Sequence, residues 1–236
     1  MFPLSALADL NELILRQIRT MPEGGGYATN REATQRLSAA IHTEGVQLRV
    51  TPQGATPSYC SGATYLVFLK TVEALERHRQ LRLTPEATAA LAVRGQPDGT
   101  GIWGRWNANG PGTARLFYEL GLGRNFTSYA EARPGDFMKI FWTREVGKAE
   151  RGHSVIFLGL ETVNGVEHVR FWSSNQPGGY GEKSVPRSKI AHALFSRLEH
   201  PERLNAAPSL PKSDPYLASL LSKASSFAEA CKKSGL

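Results

Sequence analysis

Cysteine is almost absent from this chain: there are two, Cys60 and Cys231, among 236 residues. Two cannot build a disulfide framework, and no Cys-x-x-Cys or His-Glu-x-x-His spacing marks a zinc site. We therefore expect free thiols and no metal. Long apolar runs are missing too. The longest, such as Val155 to Leu160, are strand-sized, far below the ~18 residues of a membrane span. The N-terminus lacks a basic region followed by an apolar block, so no secretion signal is expected in this chain. Acidic residues are in deficit, 21 against 28 basic, for a net charge of +7. That balance favours anionic partners such as nucleic acid, a membrane surface or a bacterial wall. The basic residues are dispersed, with no run of four. Those at 19, 77, 79, 82, 144 and 151 read as solvated faces, and no nucleic-acid motif is present. Internal repeats and low-complexity segments are also lacking.

What is present is an ordinary globular composition, 41% hydrophobic and 21% charged, enough for a sizeable core. Apolar residues at 4, 7, 10, 14 and 18 predict a helix from Leu4 to Thr20, ended by Gly24-Gly25-Gly26. A second helix is predicted from about Asn30 to His42, and a strand over Val46 to Val50. The Pro- and Gly-bearing segment Thr51 to Ser58 reads as a loop, followed by a long helix from Tyr59 to His78. Thr84-Pro85-Glu86 opens another helix that stops near Gly95. Six glycines and two prolines between Gly95 and Gly112 predict a long loop carrying Trp103 and Trp106. A helix over Thr113 to Leu120 follows.

After Pro134-Gly135 the pattern turns to strands, over 137–142, 154–160 and 166–172. Asn164-Gly165 is a hairpin turn between the last two. Helices first and an antiparallel sheet afterwards indicate an α+β fold. We expect a single domain over residues 1–200, with its core at about 46–190 and the N-terminal helices packed on it. The tail, 201–236, reads as short helices on the outside.

Cys60 sits where the long helix begins. There a thiol feels the positive end of the helix dipole and unpaired backbone N–H groups, which favour the thiolate and could hold an oxyanion. His153, preceded by a glycine at the entry of an apolar strand, is placed to accept the thiol proton and return it to a leaving amine. A third group should orient the imidazole. If Val163 and Val166 flank the hairpin turn, residue 153 pairs with 176, and 174 to 176 are its nearest neighbours. Asn175 is our choice as a neutral acceptor. Ser174 and Gln176 compete, and a bulge would shift the register by one residue. Trp142 and Trp172 are expected in the core, whereas Trp103 and Trp106 are the better cleft residues.

Cys-Ser-Gly at a helix start, Arg133-Pro134-Gly135-Asp136-Phe137 opening a strand, and then Gly-His-Ser-Val-Ile-Phe-Leu-Gly from Gly152 together resemble the NlpC-type papain-like cysteine peptidases and amidases, relatives of the CHAP amidases. The similarity spans about residues 57–176. It implies a papain-like fold with helices on a central antiparallel sheet and the nucleophile at a helix N-terminus. It further implies Cys60 as nucleophile, His153 as base and a polar residue on the next strand, with no cofactor. Tyr59 stands where members commonly have aspartate, and the usual Tyr-x-x-Gly-Gly stretch is missing. Tyr27, after three glycines, is the candidate for that tyrosine's role near the oxyanion. Substrate contacts are expected from Tyr27, Tyr59, Ser61, Trp103, Trp106 and Ser174.

The implied activity is hydrolysis of an amide bond in peptidoglycan stem peptides or cross-bridges, in the periplasm or outside the cell. Peptidoglycan is then the partner, and an inhibitor or immunity protein a further one. A papain-like hydrolase of protein or lipid amides and a non-catalytic wall-binding module are the alternatives.

Overall fold

The computed structural model describes residues 9–43, 47–148, 150 and 152–236. The helices are α1 (Leu10–Ile18), α2 (Arg31–Ala39), α3 (Cys60–Arg77), α4 (Pro85–Ala90), α5 (Gly101–Asn107), α6 (Gly112–Leu120), α7 (Pro215–Ser219) and α8 (Phe227–Lys233). The strands are β1 (Gly24–Gly25), β2 (Ile41–His42), β3 (Arg49–Val50), β4 (Gly123–Phe126), β5 (Phe137–Phe141), β6 (Glu145–Gly147), β7 (His153–Val163), β8 (Val166–Asn175), β9 (Gly179–Pro186), β10 (His192–Leu198) and β11 (Ala224–Ser226). Leu4 and Leu7 of the expected first helix, and Val46 of the expected strand, lie outside the described residues.

Seven strands form one antiparallel sheet in the order β1-β9-β8-β7-β5-β10-β4. Because side chains alternate along each strand, the sheet feeds two apolar layers. Phe137, Ile156 and Trp172 face the helical side, where they join Leu66, Phe68, Trp106 and Phe117. Met138, Ile140, Val155, Phe157, Phe171 and Phe195 form the second layer. The helical layer is centred on α3, most of whose residues are buried all round rather than along one stripe. Such a helix is enclosed on every side, which fixes its N-terminal residue against the sheet. The architecture is α+β, and no helix among the described residues is long and apolar enough to cross a membrane.

Several expectations need correction. The helix expected from Asn30 to His42 stops at Ala39, and Ile41–His42 is a strand paired with β3. The segment between Gly95 and Gly112 is not a long loop: it contains α5 and leads directly into α6. Two of its glycines serve close packing, since a Cβ at Gly104 would collide with the Pro97 carbonyl and one at Gly112 with that of Arg105. Arg105 is itself fully buried. Its guanidinium donates to the carbonyls of Gly99, Gly101 and Pro211 and to Glu119. A segment tied down in this way is ordered by tertiary bonds that composition does not reveal.

The helix opened by Thr84 ends at Ala90, earlier than Gly95, although Thr84 does cap it by accepting the Ala87 N–H. Strands β4, β9 and β10 extend the sheet beyond the three strands read from the sequence. β9 is poor in apolar residues, and beyond Gly179 and Tyr180 its residues are only partly buried or exposed. In the tail, a 3-10 helix (Pro201–Ser209), α7 and α8 occur with the short strand β11, which pairs with β6. Phe227 of α8 stacks on His192 of β10 at 4.1 Å between ring centroids, so the tail lies against the end of the sheet.

Candidate active site

The chain reaches Cys60 from the Pro-bearing loop through Tyr59, which is extended and makes no side-chain cap bond. The N–H groups of the first turn of α3 therefore have no capping side chain, and Cys60 is partly exposed at the helix end. Burial opposes ionisation of its thiol. A hydrogen bond to His153, the charges of His153 and Lys139, and a backbone hydrogen bond from Ser154 together outweigh that effect and bring the thiol down to about 6.

His153 is the first residue of β7. Gly152 before it has φ +52°, and a Cβ there would lie 2.6 Å from Lys139 Cε and 2.7 Å from the Ile140 carbonyl oxygen. Only glycine fits, for both backbone and space. His153 Nε2 lies 3.1 Å from Asn175 Oδ1, which leaves Nδ1 to meet the thiol. The imidazole packs edge-on against Phe171 at 5.6 Å and nearly parallel to Trp142 at 6.3 Å.

Asn175 is brought to the imidazole by an irregularity in the hairpin. From Val163↔Val166 to Gly159↔Arg170 the partners follow one register; from Phe157↔Phe171 onward they are offset by one. Leu158 is the extra residue, a β-bulge. Continued to residue 153, the shifted register faces 175 rather than 176. The Asn175 amide donates to the Gly181 carbonyl at 2.8 Å and to that of Ser173 at 3.3 Å, which turns its oxygen toward His153.

Tyr27 also reaches the site. The paired glycines Gly24 and Gly25 join it to β9, and its backbone bridges Ser58, two residues before Cys60. Its hydroxyl is hydrogen-bonded to the Cys60 thiol and to the Cys60 backbone, and burial with the neighbouring thiolate pushes its ionisation far up. It is thus a neutral donor at any ordinary pH.

The remaining expected contacts are placed elsewhere. Trp103 and Trp106 are each only 1% exposed, packed on Tyr65, and Trp106 on Phe68 as well. The Trp106 indole donates to the Ser61 carbonyl at 3.1 Å. They are core residues and cannot flank a cleft. The expectation for Trp142 reverses as well: it is 39% exposed, beside His153, whereas Trp172 is buried as expected. Ser174 is fully buried and bonded to Ser58 Oγ at 2.8 Å, so it ties β8 to the loop before Cys60 instead of facing substrate. Ser61 donates to Asn107 at 2.6 Å, and the buried Tyr59 pairs with Thr34 at 3.2 Å. Both shape the turn around Cys60, and neither side chain lines an open cleft.

Asp136 of the Arg-Pro-Gly-Asp-Phe motif is structural. Fully buried, it accepts from Arg197 Nε and Nη2 (2.8 and 2.6 Å), from Asn11 Nδ2 (2.9 Å) and from the Arg133 N–H (2.7 Å). The sequence reading missed Lys139, the lone charge in the apolar strand Phe137–Phe141; that interruption was its only signal.

A cavity of about 990 Å³ lies at the far end of α3 among Arg49, Glu76, Arg77 and Arg82. Sixteen residues separate Glu76 from Cys60 on that helix, about 24 Å, so the cavity is remote from the thiol. No group of three His, Cys, Asp or Glu side chains that could hold a metal occurs among the described residues. No family model, curated protein or solved structure matches this chain.

Proposed function

We propose that the protein is a papain-like cysteine hydrolase that cuts an amide bond in peptidoglycan stem peptides or cross-bridges. The observation carrying this reading is the chain from Cys60 to His153 to Asn175, with the thiol at about 6. In this mechanism the Cys60 thiolate attacks the amide carbon, and His153 Nδ1 holds the proton taken from the thiol. The Cys60 N–H and the Tyr27 hydroxyl converge beside the sulfur, where they can donate to the tetrahedral oxyanion. His153 gives its proton to the leaving amine as the thioester forms. It then takes a proton from water, which attacks the thioester and frees Cys60. Asn175 keeps Nε2 engaged and so fixes ring orientation and tautomer.

The substrate class rests on the three motifs quoted above and on the charge of +7, which favours an anionic wall in the periplasm or outside the cell. Trp142 supplies the exposed aromatic wall for a bulky substrate, in place of Trp103 and Trp106. The thiol mechanism suits amides and not glycosidic links, which call for a carboxylate pair.

Purified sacculi incubated with the protein should release muropeptides with cut peptides and intact glycan, read by chromatography and mass spectrometry. Cys60→Ala should abolish the release. Untouched sacculi together with cleavage of a protein or lipid amide would remove the wall assignment and leave the thiol chemistry. Wall binding without any cleavage would favour a binding module.

A further inference from the structure

Lys139 sits at the middle of β5 and pairs in register with Ser154, whose backbone is hydrogen-bonded to Cys60. In the sheet, Lys139 alternates with Met138 and Ile140, so its side chain rises on the α3 side with Phe137. Its Cε and Nζ lie over Gly152, in the space a side chain at that position would fill. The side chain is largely withdrawn from water, yet Nζ makes no hydrogen bond or ion pair among the described residues. An ammonium in such a place is costly unless a charge compensates it. Three groups of negative charge face it from different elements: the Cys60 thiolate from α3, Glu150 from the segment before β7, and Asp98 from the segment before α5. Glu150 is already engaged by the Gly152 N–H and by Thr143. Among the described residues, Tyr27, Tyr59 and His153 are the other titratable groups facing the thiol.

We propose that Lys139 is a positioning residue of this site, whose ammonium holds the Cys60 thiolate electrostatically and adds to the pull of His153 in keeping the nucleophile charged. The proposal rests on the reading of Cys60 as nucleophile. The proton balance is simple. The thiol proton passes to His153 Nδ1 and stays there until it goes to the leaving amine, while Cys60 remains a thiolate that faces both the imidazolium and Lys139. Without Lys139 the thiolate has, among the described residues, only the imidazolium as its counter-charge. Gly152 serves the same arrangement, because any side chain there would displace the ammonium. Lys139 touches neither substrate nor reacting carbon; it acts through the sulfur.

The test is the pH dependence of iodoacetamide alkylation of Cys60 in the full chain, read by peptide mass spectrometry from pH 4.5 to 9.5. Wild type should reach half its limiting rate near the thiol value of about 6. In Lys139→Met and Lys139→Gln the midpoint should rise by about one unit, as for loss of one nearby opposite charge. The limiting rate should not fall, and should rise about two- to threefold, because a more basic thiolate is the better nucleophile. Lys139→Arg should restore the wild-type midpoint. A merely structural lysine would lower the limiting rate and leave the midpoint in place. An unmoved midpoint in both neutral variants overturns the proposal, whatever the limiting rate. A wild type that reacts only as an ordinary thiol overturns the nucleophile reading itself, and the proposal with it. The Lys139 proposal fails alone when wild type is low and the neutral variants match it.

Discussion

His153 and Asn175 meet at 3.1 Å because Leu158, five residues beyond the histidine, bulges out of the β7–β8 ladder. In an unbroken ladder the partner of residue 153 would be Gln176, an exposed residue just past the end of β8. The irregularity places a buried amide there instead, held by two carbonyls that decide which way its oxygen points. The orientation of the imidazole is thus a property of a strand pairing and not of a local motif.

Replacement of Asn175 by alanine should lower kcat on sacculi roughly 10- to 100-fold, since a poorly held imidazole still accepts protons. Cys60→Ala should leave nothing. Ser174→Ala should keep kcat and lose about 1 kcal/mol of stability with its bond to Ser58. If Ser174→Ala proves the more damaging to kcat, the assignment of the orienting group is wrong.

Alkylation should separate the two cysteines by pH. The thiolate of Cys60 is present above about 6, so its labelling rate falls tenfold per unit below that value. Cys231 is pushed the other way by burial and should label only in alkaline solution. His153→Ala removes a hydrogen bond and a charge that lower the Cys60 value, and should move its midpoint up. Labelling of both thiols with one common midpoint would defeat the expectation.

The four tryptophans divide by role. Trp103→Ala or Trp106→Ala should cost about 3–5 kcal/mol in denaturant unfolding, as expected for emptying a packed core. Trp142→Ala should change stability by less than about 1 kcal/mol while raising KM on sacculi several-fold. Equal stability losses at all three positions would contradict the placement of Trp142.

Asp136→Ala leaves the Arg197 guanidinium buried without its carboxylate. The expected loss is about 3–5 kcal/mol, measured by chemical unfolding, with the Cys60 alkylation midpoint of the remaining folded protein unchanged. A shifted midpoint would mean that this motif residue contributes to the site as well as to the fold.

Several features of this molecule are local and could be read from the chain alone. A Pro-bearing loop before an apolar helical run places Cys60 at the start of α3. Asn164-Gly165 takes positive φ at both positions, as a tight hairpin turn requires, and Gly152 before His153 marks a strand entry. Each depends on backbone preferences over a few residues.

Other features depended on contacts between distant segments. The bulge at Leu158 decides which residue faces His153; Gly159 beside it, with φ +138°, is a local mark of an irregular strand, but the side chain thereby brought to His153 is set by the pairing with β8. Burial inverted the roles of the tryptophans, because Arg105 draws its carbonyl and carboxylate partners from Gly99 to Pro211 and so orders a glycine-rich stretch. Lys139 gained its position from strand pairing and from the empty side of Gly152, and Asp136 gained its role from Arg197, 61 residues away. Sequence patterns carry backbone preference and periodicity. Register, burial and the charge around a thiol are set only when strands and helices from across the chain close on one another.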